Sequence, residues 1–85
     1  MSYDVRLMPQ AQKDLEGFRA KLHAKFEVLI LGLCDNLRPR NSKKLSGGET
    51  QWRIRSGDYR ILYELDEARK IVRVYRIAHR KEAYR

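Results

Sequence analysis

Cysteine is almost missing from this chain. Cys34 stands alone among 85 residues, so no disulfide can close within it. Its place in an apolar helical stretch makes it a small buried hydrophobe rather than a nucleophile. Histidine is nearly as scarce, with only His23 and His79. Nowhere do His, Cys and carboxylates gather at metal-ligand spacing, so no metal site and no cofactor is indicated. Long apolar runs are also lacking. "VLILGLC", residues 28–34, falls far short of the ~20 residues that a membrane span needs. "MSYDVRLM" has no basic-then-apolar signal pattern. These features predict a reducing, cytoplasmic location without a membrane partner. Internal repeats and low-complexity tracts are absent as well.

Acidic residues are in deficit. Nineteen Lys and Arg face eleven Asp and Glu, a formal charge of +8. Residues 1–37 hold five of each sign, while residues 38–85 hold fourteen cations and six anions. The whole excess therefore lies in the second part, which suggests a polyanionic partner: RNA, DNA or an acidic protein. The length allows one domain, residues 1–85, with one small core. Charged residues make up 35% and apolar ones 42%, a folded rather than a disordered composition.

"YDVRLM" alternates as a strand would, with Tyr3, Val5 and Leu7 on one face. Pro9 suits a first helical turn. "PQAQKDLEGFRAK" reads as a short helix with Ala11, Leu15 and Phe18 on one side, weakened by Gly17. "KLHAKFEVLILGLCDNL" reads as a stronger one, with a stripe of Leu22, Phe26, Leu29, Leu33 and Leu37. Val28, Ile30 and Leu31 widen that stripe and predict burial on more than one side. "RPRNSKKLSGGE" reads as a basic loop. Three strands then follow, "TQWRIR", "YRILYELD" and "IVRVYRIA", the first two joined by a tight "SGD" turn. The expected fold is α+β: a small antiparallel sheet of about four strands, with two N-terminal helices packed on it, in the order strand-helix-helix-strand-strand-strand.

Strand interiors favour β-branched and aromatic residues, yet these strands carry Arg53, Arg55, Arg60, Arg73 and Arg76. Alternation puts Arg53 and Arg55 on one face, and a hairpin at Ser56–Asp58 brings Arg60 across from them. Clustered cations repel one another and are best tolerated where an anion such as phosphate binds between them. Trp52 and Tyr63 share their strand faces with Ile54, Ile61 and Leu65 and fit a core better than a functional surface. Glu49 and Glu64 fit structural ion pairs, and His23 fits a helix surface.

The series "KKLSGG", "WRIRSGDYRILYELDE" and "IVRVYRIAHRKEAYR" resembles the RelE/ParE superfamily of type II toxin–antitoxin toxins, and its RelE branch most. The resemblance is specific over residues 44–85 and generic before them. It implies a ribosome-dependent endoribonuclease that cuts mRNA in the ribosomal A site. The ribose 2′-hydroxyl attacks the adjacent phosphate, and a cognate antitoxin neutralises the toxin in a hetero-oligomer. The family's functional positions fall on Arg53, Arg55, Arg60, Arg80 and Tyr84, with Arg60 and Arg80 as the phosphate clamp. Family members often have lysine where Arg53 and Arg55 stand. Arginine is a poor general base, so the base is left between Tyr84 and His79. Neighbouring cations favour a phenolate, and histidine titrates near neutrality without help. Arg38, Arg40, Lys43, Lys44, Arg73, Arg76 and Lys81 are expected to meet RNA phosphates. The antitoxin is expected to be acidic where it meets residues 38–85. A ParE-like inhibitor of DNA gyrase, or an inactive binding member of the same fold, is the alternative.

Overall fold

The computed structural model describes residues 2–83. The alternating first segment forms strand β1, Asp4–Leu7, with Tyr3, Val5 and Leu7 turned to the core. Pro9 opens helix α1, Pro9–Glu16, and Gly17 caps it. The helix is shorter than the spacing suggests. The helix stops at the Gly17 cap, and Phe18 instead packs edge-on against Phe26 and Tyr59, with centroids 4.9 and 5.2 Å apart. Buried aromatic surface outweighs the small gain of another helical turn.

Helix α2 spans Ala20–Gly32 and ends well before the predicted Leu37. Its liberated carbonyls are put to use: Cys34 O accepts the Tyr3 N–H at 2.8 Å, tying the helix end to the start of β1. Phe26, Ile30 and Leu33 are buried, whereas Val28 and Leu31 are 70% and 68% exposed. The expected burial on more than one side is therefore corrected. The fold has two layers, so α2 has the sheet on one side and no further layer on the other.

The segment read as a basic loop contains a strand, β2, Ser42–Lys44. It pairs antiparallel with β3, Gln51–Ser56, setting Lys43 opposite Arg53 and Lys44 opposite Trp52. Charged, lysine-bearing edge strands carry no apolar alternation to announce them. Strand β4, Tyr59–Asp66, pairs antiparallel with β3 across a turn in which Gly57 has φ +58°. Strand β5, Ile71–His79, pairs antiparallel with β4 and parallel with β1. The sheet is thus five-stranded and mixed, in the order β1-β5-β4-β3-β2, rather than four-stranded and purely antiparallel. The helices carry the chain from β1 at one edge to β2 at the other.

Both helices cover the same face. Ile54, Ile61, Tyr63, Leu65, Val72, Val74 and Ile77 of the sheet meet Ala11, Leu15, Phe26, Ile30 and Leu33 there. A β-bulge makes this possible in β5. Leu62 pairs with Arg76 while Tyr63 pairs with Val74, leaving Tyr75 as the extra residue. The bulge shifts the alternation by one, so Val74 and Ile77 both face the helices. Beside it, the Ile77 N–H donates to Asp14 Oδ2 of α1 at 3.0 Å, and Gln10 Nε2 holds the other oxygen at 2.7 Å.

Candidate functional site

The face of the sheet without helices collects the cations. The registers align Lys43, Arg53, Leu62 and Arg76 in one cross-strand row, and Arg55, Arg60 and Ala78 in the next. Like charges directly opposite one another destabilise a sheet, and three such pairs occur on this face: Lys43 with Arg53, Arg55 with Arg60, and Arg6 with Arg73 across the parallel edge.

A cleft of about 850 Å³ opens on this face, lined by Lys43, Lys44, Arg53 and Arg60 around an apolar floor that includes Leu62 and Ala83. Leu62, Ala78 and Ala83 form a small second core, with Leu45 and Tyr75 packed against it. Ala83 thus lays the chain beyond β5 back over the arginine-bearing face. Arg60 is the anchor of the cleft, only 9% exposed. Its Nη1 donates to Gly57 O at 3.1 Å and Tyr59 O at 2.9 Å, so the hairpin turn fixes the guanidinium. Among the described residues no carboxylate pairs with it. A buried cation held by carbonyls alone is left short of compensating negative charge, which a bound anion would supply.

Around Arg60 the other candidates divide. Arg53 Nη1 donates to Asn41 O at 3.2 Å. Arg53 and Lys43 also line a second recess, of about 300 Å³, with Arg40 and the exposed Arg55. Arg80 follows β5 and binds the hairpin that holds Arg60. Its backbone N–H donates to Asp58 O at 2.7 Å, and its half-exposed side chain lies 4.0 Å from Asp58 Oδ1. Arg76 contributes a buried Nε that has no hydrogen-bond partner among the described residues.

Other residues singled out in the sequence lie away from the cleft. His79 shares the face of its cross-strand partner Tyr59 and meets that ring edge-on, with centroids 5.7 Å apart. Its Nδ1 accepts the Lys81 N–H at 3.2 Å. It therefore stands on the helix side of the sheet, opposite the arginines. Arg38 lies over the Trp52 ring, 5.2 Å from its centroid, and pairs with Glu67 at 3.1 Å. Arg73 lies 3.5 Å from Asp66 and 3.9 Å from Glu64. Lys81 is exposed. Tyr84 lies outside the described residues.

Two features escaped the sequence reading. The apolar floor depends on the bulge at Tyr75, which leaves no signature in a strand that is apolar on both faces. Asp14, which the helical pattern does not single out, secures the backbone of β5. Tyr63, read as core, is fully buried, and its hydroxyl donates to Leu37 O at 2.7 Å. Burial pushes this phenol above its ordinary pKa, opposed by the Ser42 hydroxyl and the Arg38 charge.

A fixed guanidinium in a basic cleft with an apolar floor can bind a phosphate and place the adjoining nucleoside. Several known proteins resemble this chain. A family model described as the ParE toxin of type II toxin-antitoxin system, parDE, matches residues 5–84. The toxin RelE of Mycobacterium tuberculosis is 31% identical over 84 residues, which cover 98% of this chain and 87% of that protein. In the archaeal RelE–RelB complex from Pyrococcus horikoshii, a matched chain has TM-score 0.84 and 26% identity, covering 98% of this chain and 100% of that one. The RelBE2 toxin–antitoxin complex from M. tuberculosis gives TM-score 0.80 at 27% identity, covering 93% of this chain and 99% of its counterpart.

Proposed function

Because this chain belongs to the RelE branch of the RelE/ParE superfamily of type II toxin–antitoxin toxins, we propose that it is a ribosome-dependent endoribonuclease that cuts mRNA in the A site and so arrests translation. The observation that carries this reading is Arg60, buried, fixed by two hairpin carbonyls and facing a cleft rimmed by Lys43, Lys44 and Arg53.

In this mechanism the 2′-hydroxyl of one nucleotide attacks the adjacent phosphorus. The base takes its proton, the bond to the 5′-oxygen breaks, and that oxygen leaves protonated. The products are a 2′,3′-cyclic phosphate and a 5′-hydroxyl. Negative charge grows on the phosphoryl oxygens as the bond forms. A guanidinium already aimed at them stabilises that charge without reorganising, most of all where water is scarce. Arg60 holds this position in the cleft. Arg80, tethered to the same hairpin, closes on the phosphate from the side, and Arg53 and Arg55 hold flanking phosphates. Tyr84 is the proton carrier. The phenol is favoured over His79 because His79 packs on Tyr59 behind the sheet and its Nδ1 is already accepting a backbone N–H.

A RelB-type antitoxin regulates the chain in this reading, as the complexes of the relatives suggest. A gyrase-directed reading also has an observation in its favour, the parDE description of the matching family model. Primer-extension mapping of a message after induced expression separates the two. In-frame cuts in translated mRNA are expected. Intact mRNA accompanied by DNA breaks would replace the nuclease reading with the gyrase one.

A further inference from the structure

A smaller recess of about 210 Å³ adjoins the cleft on the same face, lined by Met8, Gln51, Glu64, Arg73 and Tyr75. Gln51 and Tyr75 line the larger cleft as well, so these two side chains separate a cationic compartment from a mixed one. A nucleotide has that same division. Its phosphate needs cations, and its base needs apolar faces and a few polar groups at the edge. Met8 and Tyr75 offer the apolar faces here, and Glu64, Arg73 and Gln51 the polar edge.

We propose that this recess is a base-reading subsite, which takes a nucleobase bearing an exocyclic amine and rejects uracil. The inference rests on the nuclease reading above and adds to it the basis of sequence choice. Glu64 carries the argument. Its only ion pair among the described residues is a long one, 3.9 Å to Arg73 Nη1, and Arg73 lies closer to Asp66, at 3.5 Å. Among the described residues the Glu64 carboxylate accepts no hydrogen bond, so its acceptor capacity is open to a ligand. An ionised carboxylate only accepts hydrogen bonds. It therefore welcomes the amine of cytosine, adenine or guanine and opposes the carbonyl oxygen that uracil presents at the corresponding place. Arg73, beside it, supplies donors for the ring nitrogen or oxygen next to that amine.

The loop before β3 is shaped to hold the third polar group. A Cβ on Gly48 would lie 2.8 Å from Gln51 Oε1. The missing side chain at Gly48 is what lets the Gln51 amide lie against the loop, between the two compartments.

Cytosine and uracil are the sharpest test, because they match in size and differ along the reading edge. Ribosomes with an empty A site would be programmed with messages that differ only by C or U at each codon position, and single-turnover cleavage measured. At one position the cytosine message should be cut roughly 10-fold faster than the uracil one, the scale of a hydrogen bond to a charged group. In Glu64→Gln the ratio should fall to near one, since an amide can turn either its oxygen or its nitrogen to the base. Equal rates for C and U at every position in the wild type would overturn the subsite. So would a ratio that survives in folded Glu64→Gln. Failure to cut any message would be a different result, overturning the nuclease reading and this inference with it. The wild-type comparison does not depend on a variant folding.

Discussion

Arg60 combines two properties that usually oppose one another, burial and full charge. An arginine cannot shed its proton to escape burial, so the hairpin carbonyls of Gly57 and Tyr59 must hold it. Arg60→Ala should lower single-turnover mRNA cleavage by about 10²–10³-fold, the cost of removing one preorganised stabiliser of transition-state charge. Arg60→Lys should recover little, because an ammonium lacks the planar fork. Circular dichroism on the same samples would verify folding, and wild-type cleavage by folded Arg60→Ala would refute the role. For Tyr84 the informative change is to Phe, which keeps the ring and removes only the hydroxyl. Cleavage should drop by about 10²-fold or more if the phenol moves the proton, while ribosome binding holds; full activity would leave it a stacking residue. Tyr63 makes a different prediction. Its folded pKa is raised, so the folded state holds the proton more tightly than the unfolded state. The associated stability is complete below the unfolded value, near 10, and is lost as pH rises through the folded value. Denaturant titrations at pH 7 and at about pH 10.5 should show this loss in wild type and a smaller one in Tyr63→Phe. At pH 7 that variant should be about 1 kcal/mol less stable, because the Leu37 carbonyl loses its donor.

The bulge in β5 sorts its residues between two faces, and Asp14 is the side chain that secures it. Asp14→Ala strips the acceptor from the Ile77 N–H and should cost about 1–3 kcal/mol in denaturant unfolding. Exchange of the Ile77 amide should accelerate beyond the global change. Unaltered protection of that amide would show the contact to be dispensable. These same elements mark how far the sequence could be read. Strands β3 and β4 were legible because Ile54, Ile61, Tyr63 and Leu65 alternate with charged or smaller residues, and the Gly57 turn sits where a tight hairpin needs it. Helix α1 was placed correctly at its start by Pro9. What escaped depended on partners distant in the chain. Strand β2 exists because Asn41 and Lys43 find Arg55 and Arg53 of β3. Val28 and Leu31 are exposed because no third layer covers them. The parallel pairing of β1 depends on an edge that only the finished β5 provides. At the site, the clustering of Arg53, Arg55 and Arg60 was visible from period and hairpin alone. The placing of His79 was not, because one extra residue in the strand decides which face it joins.

Over the whole molecule, the uneven charge bears most on the proposed partners. The surplus of +8 lies entirely within residues 38–85, and several of its members stand on one sheet face. Binding to programmed ribosomes should weaken steeply and linearly in log–log salt titrations. Neutralising one phosphate-contacting cation, as in Lys44→Gln, should lower the slope by about one. A slope unchanged in that variant would remove Lys44 from the contact set. The proposed antitoxin, sought in the neighbouring open reading frame, should be acidic where it meets residues 38–85 and should order on binding. Co-expression should restore growth and raise the melting temperature of the toxin, as mass action requires of a ligand selective for the native state. A neighbouring product that neither binds nor protects would count against this form of regulation.

The parallel union of β1 with β5 joins Asp4 to Ile71, residues at almost opposite ends of the described chain. During synthesis β1 emerges before β5 and waits, its partner edge not yet made. Strands β3 and β4 can pair as a hairpin while β5 is still being translated, but the cleft floor needs Ala78 and Ala83 as well. The sheet therefore cannot close before β5 is available to both of its neighbours. Until the stretch through Ala83 has left the exit tunnel, the arginines lie on an unfinished surface. Under the proposed function, a nascent chain that lacks this stretch would lack the finished cleft with which to act on a ribosome.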